Sequence, residues 1–205
     1  MDNTEGSQVI TQIYKARKNL VLHLSIRQMS ILLGSILGDS YVYPKGKVCF
    51  EQGEKQKEYL LWKYSELKSL AYPKVSQVIR LDKRRNIRTI SWRFFLRQYF
   101  RPLRNAFYEH NKKRIPNSLM KWFSPILLAV WYMDDGYLDR RNPLLMTDSF
   151  SFDDIQRLVI ILKRKFQLEC LITNKHRIRI RHSSSSKFFH LVEPFIHKEL
   201  RYKLP

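Results

Sequence analysis

Two aspartates with similar surroundings, Asp39 and Asp135, stand 96 residues apart in the 205-residue chain. Each comes at the end of an apolar run that is predicted to be helical, so each carboxylate is expected at a helix C-terminus. That end of a helix carries partial negative charge, which disfavours a carboxylate by about 0.3 to 1 kcal/mol. Helix stability therefore explains neither aspartate. Packing the two helices side by side would pair the carboxylates, and such a pair can hold a divalent cation.

Local signals predict where these two helices begin. Ser25 and Gln28 have the spacing of a capping box, in which both side chains bond to free backbone amides of the first turn. Ser124 before Pro125 predicts the second start, because serine is a favoured N-cap and proline is favoured at the first helical position. Both helices are therefore predicted to end at an aspartate.

The elements that follow each helix are predicted to come in one order. Two strands, a longer helix, a hairpin and a last helix follow in both cases, so the chain reads αββαββα twice. This repeat indicates an internal duplication and an α+β fold of two pseudo-symmetric halves, each with a curved antiparallel sheet.

Gly34 and Gly38 lie on one helical face and would let the first helices of the two halves approach closely. We predict an N-terminal extension at 1–24, a first half at 25–110, a linker at 111–123 and a second half at 124–205.

The charge of the chain indicates a polyanionic partner. Lys and Arg number 38 against 18 Asp and Glu, a formal net charge of +20, and residues 41–125 contribute +14 of it. Such an excess repels itself in isolation, so nucleic acid is the first expectation. The longest apolar run, 126–133, is far shorter than the roughly 20 residues that span a bilayer, so we expect no membrane helix. The N-terminus shows no pattern of a secretory signal or an import peptide.

The predicted hairpins carry their basic residues with a period of two. Arg177, Arg179 and Arg181 would point to one sheet face, and Ile178 and Ile180 to the other. A sheet with one cationic face could lie along a duplex and read its base edges, although a merely solvated basic face is the alternative. The residues expected to contact DNA are Lys45, Lys47, Arg80, Arg84, Arg85, Arg88, Arg93, Arg140, Arg141, Arg177, Arg179 and Arg181.

Two segments resemble a known motif. Residues 32–40, LLGSILGDS, and 128–136, LAVWYMDDG, are similar to the two copies of the LAGLIDADG motif in single-chain homing endonucleases. The resemblance runs from about Leu20 to the C-terminus and is strongest to a yeast mitochondrial intron-encoded member, with similar stretches at 111–117, 165–168 and 202–205. It implies two halves that pack through the motif helices and place two sheets on DNA. Val130 stands where the motif has glycine, so the helix packing need not be symmetric.

The resemblance also implies roles for single residues. It places the metal-binding aspartates at Asp39 and Asp135, active-site lysines at Lys113 and Lys203, and a polar residue of the first half at Glu51. Asp134 occupies a position that the family does not require to be acidic. The implied activity is a Mg²⁺-dependent double-strand break by a monomer in a long asymmetric DNA target.

Two other functions agree with parts of the sequence. An RNA maturase could use the same basic sheets to help an intron splice with little or no cleavage, and intron RNA is then a partner. Residues 132–135 also resemble the YMDD box of reverse transcriptases, but the helix start at Ser124 places them on a helix and not on a hairpin. The family implies a protein encoded in a mitochondrion or chloroplast, or a bacterial cytoplasmic protein, and not a secreted one.

Overall fold

The computed structural model describes residues 9–11, 22–84 and 86–205 of the chain. Its fold is α+β, as predicted. The α-helices of this part are α1 Ile26–Leu37, α2 Lys57–Glu66, α3 Arg101–Phe107, α4 Leu119–Trp122, α5 Pro125–Asp135, α6 Phe152–Phe166 and α7 His182–Val192. The strands are β1 Val9–Thr11, β2 His23–Ser25, β3 Tyr41–Val42, β4 Val48–Gly53, β5 Ser76–Asp82, β6 Ile87–Leu96, β7 Tyr108–Glu109, β8 Lys112–Lys113, β9 Gly136–Asp139, β10 Asn142–Leu145, β11 Cys170–Ile172 and β12 Ile178–Ile180.

The predicted repeat is present in the topology. The first four-stranded sheet has the order β3-β4-β6-β5 and the second has the order β9-β10-β12-β11, so equivalent strands occupy equivalent places. All paired strands are antiparallel. Helices α1, α2 and α3 accompany the first sheet in the same order as α5, α6 and α7 accompany the second.

The predicted helix starts are confirmed by their caps. Ser25 and Gln28 form the reciprocal capping box of α1, and the Ser124 hydroxyl accepts a bond from the backbone amide of Leu127 in α5. Because each cap uses groups within three residues of one another, the local sequence was sufficient to place these starts. Tyr132 to Asp135 lie within α5, so these residues are helical and do not form the hairpin of a reverse-transcriptase YMDD box.

Helices α1 and α5 pack side by side and run in the same direction. Near their starts the Ser124 hydroxyl donates to the Ser30 hydroxyl at 2.8 Å. Half-way along, Gly34 faces Val130, and a β-carbon on Gly34 would lie 2.8 Å from the Cβ of Val130. The expected close approach therefore exists, and it is asymmetric, since a glycine of one helix receives a valine of the other.

The structure differs from the predicted elements in two places. The longer helix predicted after the first two strands is shorter than expected, because the 3-10 turns Glu54–Gln56 and Lys68–Leu70 flank α2. The predicted linker 111–123 contains β8 and α4, and β8 pairs with β7 across a tight turn at His110 and Asn111, which both have positive φ. The division of the chain into an extension, two halves and a linker stays a prediction. The extension 1–24 lies outside the described residues except at 9–11 and 22–24.

One hydrophobic core extends through both halves, and α1 and α5 lie at its centre. Within the described ranges, eight consecutive residues of α5 from Ile126 to Met133 are buried, as are most of α1. This is why both helices are apolar on nearly all sides. No helix in the described part of the chain is both long enough and apolar enough to cross a membrane.

Candidate active site

The two predicted aspartates lie where the paired helices meet the sheets. Asp135 is the last residue of α5 and the strand β9 begins at the next residue, while Asp39 lies between α1 and β3. Because α1 and α5 are parallel, their C-terminal ends are neighbours. Asp39 is exposed to solvent and Asp135 is half-buried. The structure therefore brings the two carboxylates to one junction, as the sequence predicted.

The electrostatics of this junction are unfavourable to negative charge. Burial, together with the nearby carboxylates of Asp39 and Asp134, raises the pKa of Asp135 to about 7, although Lys113 and Lys203 lower it. A carboxyl group that is this difficult to ionise is not a stabilising feature of the fold. Strongly shifted acids of this kind are concentrated at functional sites.

Two lysines stand at the same helix ends. The Nζ of Lys113 donates to the backbone carbonyl of Gly38 at 2.5 Å, and the Nζ of Lys203 donates to that of Met133 at 2.5 Å. Burial lowers the pKa of both lysines, while the three aspartates raise it. The lysines thus compensate the negative ends of α1 and α5 and hold two ammonium groups beside the carboxylates. Lys113 is therefore not an ordinary surface lysine of the linker.

Lys203 is held in place by contacts between its own segment and α5. The 3-10 turn Lys198–Lys203 packs against α5, and the hydroxyl of Tyr132 donates to the backbone carbonyl of Lys203 at 2.7 Å. The backbone amide of His197 also contacts the sulfur of Met133. Contacts to α5 therefore set the position of the second lysine.

Glu51 lies away from this junction. It is on the outer face of the first sheet, where its carboxylate accepts hydrogen bonds from Arg80 and Ser91. These bonds lower the pKa of Glu51, Arg80 having the largest effect. The next residue, Gln52, points to the opposite face and lies at the junction, with its amide 2.8 Å from Asp39. Side chains alternate along a strand, so neighbouring residues reach different sites.

Gln52 and Lys63 are two site residues that the sequence reasoning missed. Both are buried, and Lys63 forms an ion pair with Asp134. One signal was present for Gln52, because it shares an alternating face with the apolar Val48 and Phe50. A polar residue in that position needs a buried partner. No local pattern indicated the partner of Lys63, since Asp134 is 71 residues away.

The first sheet presents several of the predicted basic residues on its outer face. Register places Arg93 opposite Glu51, and Arg80 shares this face. Lys47 belongs to the same surface, with its Nζ 3.7 Å from the centre of the Phe95 ring. Lys45 is exposed in the preceding turn.

Two other predicted residues of this half, Arg84 and Arg88, lie away from this face. Arg88 pairs with Leu81 and therefore lies on the opposite face from Arg93, because the two are separated by an odd number of residues. Arg84 is in the turn between β5 and β6, where its amide bonds to Asp82. Arg85 lies outside the described residues.

The second sheet also has the predicted cationic face. Ile178 and Ile180 are buried, whereas Arg179 between them faces outward and pairs with Asp139. Arg177 pairs with Asp148 at 3.1 Å, and Arg181 is exposed at the start of α7. The period-two pattern therefore predicted the orientation correctly, but not the internal ion pairs.

Arg140 and Arg141 form the two-residue turn between β9 and β10. Their φ angles are 48° and 67°, and Asp139 pairs with Asn142 across the turn. A turn with two left-handed residues usually contains asparagine or glycine, because a larger side chain is disfavoured there. Two arginines in this conformation place their charges at the tip of the hairpin.

The donor set at the junction fits Mg²⁺. Mg²⁺ prefers oxygen ligands and is commonly held by one or two carboxylates together with substrate phosphates, which is the role that Asp39 and Asp135 could fill. Burial and the repulsion from Asp39 and Asp134 raise the pKa of Asp135, and a cation bound there would offset that repulsion. Among the described residues, no group of three or more His, Cys, Asp or Glu side chains is arranged as a complete metal cage. Any further ligands would come from other oxygen donors, such as water, a carbonyl group or a bound phosphate.

Comparison with known proteins gives one family. Residues 29–188 match the profile of the LAGLIDADG DNA endonuclease family. The chain is 29% identical to probable intron-encoded endonuclease 1 of Wickerhamomyces canadensis, over 95% of this chain and 90% of that protein. It is 28% identical to the cytochrome b mRNA maturase bI2 of Saccharomyces cerevisiae, over 93% of this chain, and spans about half (50%) of that protein's length.

A solved structure is also similar. The homing endonuclease I-WcaI bound to its DNA recognition sequence superposes with a TM-score of 0.80 at 27% identity, over 94% of this chain and 90% of that one. Similarity at this level over nearly the whole chain covers both motif helices and both sheets.

Proposed function

Because the chain belongs to the LAGLIDADG DNA endonuclease family, we propose that it is a site-specific homing endonuclease that makes a Mg²⁺-dependent double-strand break in a long asymmetric DNA target. The observation that carries this proposal is the junction of Asp39 and Asp135, with Lys113 and Lys203 beside them. A protein that only binds nucleic acid gains nothing from carboxylates there, since they repel phosphate. DNA cleavage would give a function to carboxylates that are otherwise unfavourable at this junction.

The proposed chemistry divides between the carboxylates and the lysines. A divalent cation held by Asp39 and Asp135 would polarise the scissile phosphodiester and make water a better nucleophile at neutral pH. Lys113 and Lys203 each hold an ammonium group at a helix end, where it can stabilise negative charge that develops on the phosphate. Since each of α1 and α5 has one aspartate at its C-terminal end and one lysine bonded there, both DNA strands could be cut at one junction.

The proposed recognition uses the outer faces of the two sheets. Arg80, Arg93 and Lys47 would contact DNA from the first half, and Arg177, Arg179 and Arg181 from the second. Phosphate contacts position a protein and base contacts specify the sequence. The outer faces of the two halves differ in sequence, so a site read by both would be asymmetric. Glu51 belongs to this surface in our proposal, because its side chain contacts Arg80 and not the aspartates.

The decisive experiment is cleavage selection from a randomised duplex library in Mg²⁺. We expect enrichment of one long site that the purified chain cuts on both strands, and loss of cutting in excess EDTA. If no duplex is cut although the protein binds DNA, the endonuclease proposal is wrong.

An RNA maturase is the second candidate function. It is supported by the relative of Saccharomyces cerevisiae, which is named as a cytochrome b mRNA maturase. The maturase function predicts that the chain accelerates splicing of an intron RNA, and that variants of Asp39 and Asp135 still do so. A splicing assay with the parent and with Asp39→Asn separates the two functions, because only cleavage needs the carboxylate.

We also propose that the protein acts as a monomer, since α1 and α5 of one chain supply both halves of the junction. An organelle genome or a bacterial genome is the proposed setting, and the proposed partners are double-stranded DNA and, for the second function, intron RNA. Sedimentation equilibrium with and without DNA tests the monomer.

A further inference from the structure

Lys63 and Asp134 form a buried ion pair that the proposed chemistry does not use. The Nζ of Lys63 lies 2.6 and 2.8 Å from the two carboxylate oxygens, and the side chains are 1% and 0% exposed. The Tyr59 hydroxyl donates to the same carboxylate at 2.9 Å. Removing two charges from water is costly, and apolar residues often replace such pairs without loss of stability. The pair therefore calls for a role other than stability.

Gln52 joins this pair to Asp39. Its Nε2 lies 2.8 Å from Oδ2 of Asp39 and 3.5 Å from Oδ1 of Asp134. Both neighbours are carboxylates and can only accept, so the amide group must present its NH₂ to them. Asp39 is exposed, and without this bond its carboxylate would be free to rotate. Hydrogen bonds therefore connect Lys63 and Tyr59 to Asp134, and Gln52 connects Asp134 to Asp39.

In the described part of the chain, these hydrogen bonds lead to Asp39 and not to Asp135. Among the described residues, no side chain donates a hydrogen bond to the carboxylate of Asp135. The residue before Asp39 is Gly38, and a β-carbon there would lie 2.4 Å from the Cβ of Asp134. The missing side chain at Gly38 therefore makes the space through which Asp134 of the second half reaches Gln52 of the first.

We propose that Gln52, Asp134 and Lys63 are positioning residues that orient the carboxylate of Asp39 for metal binding. This inference rests on the proposed function, because it concerns the same site. Partners that orient a metal ligand commonly contribute about 10- to 100-fold in metal affinity or activity.

Two kinds of variant separate positioning from folding. Gln52→Met keeps the length of the side chain and removes the donor. The double variant Lys63→Met with Asp134→Leu removes both buried charges together, so that neither remains unpaired. The matched controls are Gln77→Met, an exposed glutamine of the same sheet, and Lys163→Met with Glu169→Gln, which removes an exposed ion pair.

The main measurement is the affinity for Mn²⁺, used as a probe for Mg²⁺. Binding is monitored by the decrease in the electron paramagnetic resonance signal of free Mn²⁺, with a non-specific duplex present. We expect Gln52→Met and the double variant to bind Mn²⁺ about 10- to 100-fold more weakly. The circular dichroism spectrum and the metal-free DNA affinity should match those of the parent, and both controls should bind Mn²⁺ like the parent.

Three results would overturn the inference. One is parental Mn²⁺ affinity in both variants. Another is loss of metal-free DNA binding together with Mn²⁺ binding, which would show a role in the fold. The third is that the parent cuts a selected DNA target and the variants cut it with the same Mg²⁺ dependence, in which case only the positioning role fails. If the parent binds Mn²⁺ as expected but cuts nothing, only the proposed function fails.

Discussion

Asp39, Asp134 and Asp135 are distinguished by what each carboxylate contacts. Asp134 is neutralised by Lys63 in the interior, whereas Asp39 accepts from Gln52 and is open to solvent. Asp135 is near enough to these two acids and to Lys113 and Lys203 for all four to affect its pKa. The sequence indicates that Asp134 and Asp135 point in different directions, since successive residues are about 100° apart on a helix. The structure adds that Asp134 belongs to a buried hydrogen-bond network with Lys63, Tyr59 and Gln52.

We expect Asp39→Asn and Asp135→Asn each to abolish double-strand cleavage while target binding survives. Loss of a partner of a metal ligand already costs about 10- to 100-fold, so loss of a ligand should cost more. The ionised form of Asp135 is disfavoured in the folded chain, because its pKa is raised to about 7, and neutral asparagine should not destabilise it. Plasmid cutting and gel-shift affinity, both measured against metal concentration, check this.

Asp134→Asn is the comparison for these variants. We expect its cutting to be slowed less than theirs, because an asparagine oxygen can still accept from Gln52. We also expect a loss of stability of about 3 to 5 kcal/mol, because Lys63 keeps a buried charge without its partner. If Asp135→Asn cuts normally while Asp134→Asn is folded but does not cut, the motif's metal-binding aspartate is Asp134 and not Asp135.

Lys113→Met and Lys203→Met should slow cutting about 100-fold or more at saturating DNA, the effect of losing a single donor to developing negative charge. Their DNA affinity should change little, because the two ammonium groups face helix ends and carboxylates. Single-turnover rates give the measurement, and Lys112→Met, the exposed neighbour of Lys113, is the control. A variant that cuts at the parent rate has lost only a structural lysine.

Among the elements, the two sheets combine a core face with a cationic face. In the second sheet Arg177 is paired with Asp148 and Arg179 with Asp139 on the protein surface. DNA phosphates would have to replace these carboxylates, so part of the charge is held in place before DNA arrives. In the first sheet Arg80 is likewise held by Glu51.

Replacing Arg177, Arg179 and Arg181 together with glutamine should weaken DNA binding and reduce its salt dependence. Each lost phosphate contact removes about 0.9 from the slope of log affinity against log salt. The fold should persist, because the core-facing Ile178 and Ile180 are unchanged. The control removes equal charge at Lys163, Arg164 and Lys165, which are exposed on α6 and not on the sheet. Equal salt slopes for parent and sheet variant would place the DNA-binding surface elsewhere.

For the whole molecule, the pairing of α1 with α5 determines how the halves meet. A single core spans both halves, and the site lies at the end of the helix pair. A change in the spacing of the helices should therefore affect stability and the distance between Asp39 and Asp135 together.

Gly34→Ala tests this coupling. A β-carbon at this position would lie 2.7 Å from the backbone oxygen of Leu127 and 2.8 Å from the Cβ of Val130, so backbone must move. We expect a loss of about 1 to 3 kcal/mol in the free energy of unfolding, the usual cost of overpacking. Urea denaturation measures it, and Gly53→Ala, which meets nothing within 4 Å, is the control. Partial recovery on adding Val130→Ala would identify the contact, whereas parental stability of Gly34→Ala would contradict this packing.

The sequence by itself determined the features that depend on nearby residues. The caps at Ser25 and Ser124, the period-two faces and the order of elements are all set within a few residues, and the duplicated aspartates identified the junction. Only the tertiary structure decided which polar groups meet there. Gln52 and Lys63 reach Asp134 across 82 and 71 residues, and Lys113 reaches Gly38 across 75. Such contacts depend on how helices and sheets pack, and no local spacing records them. The same holds for Glu51, since the register with Arg93 and the bond to Arg80 placed it on the outer face of the sheet.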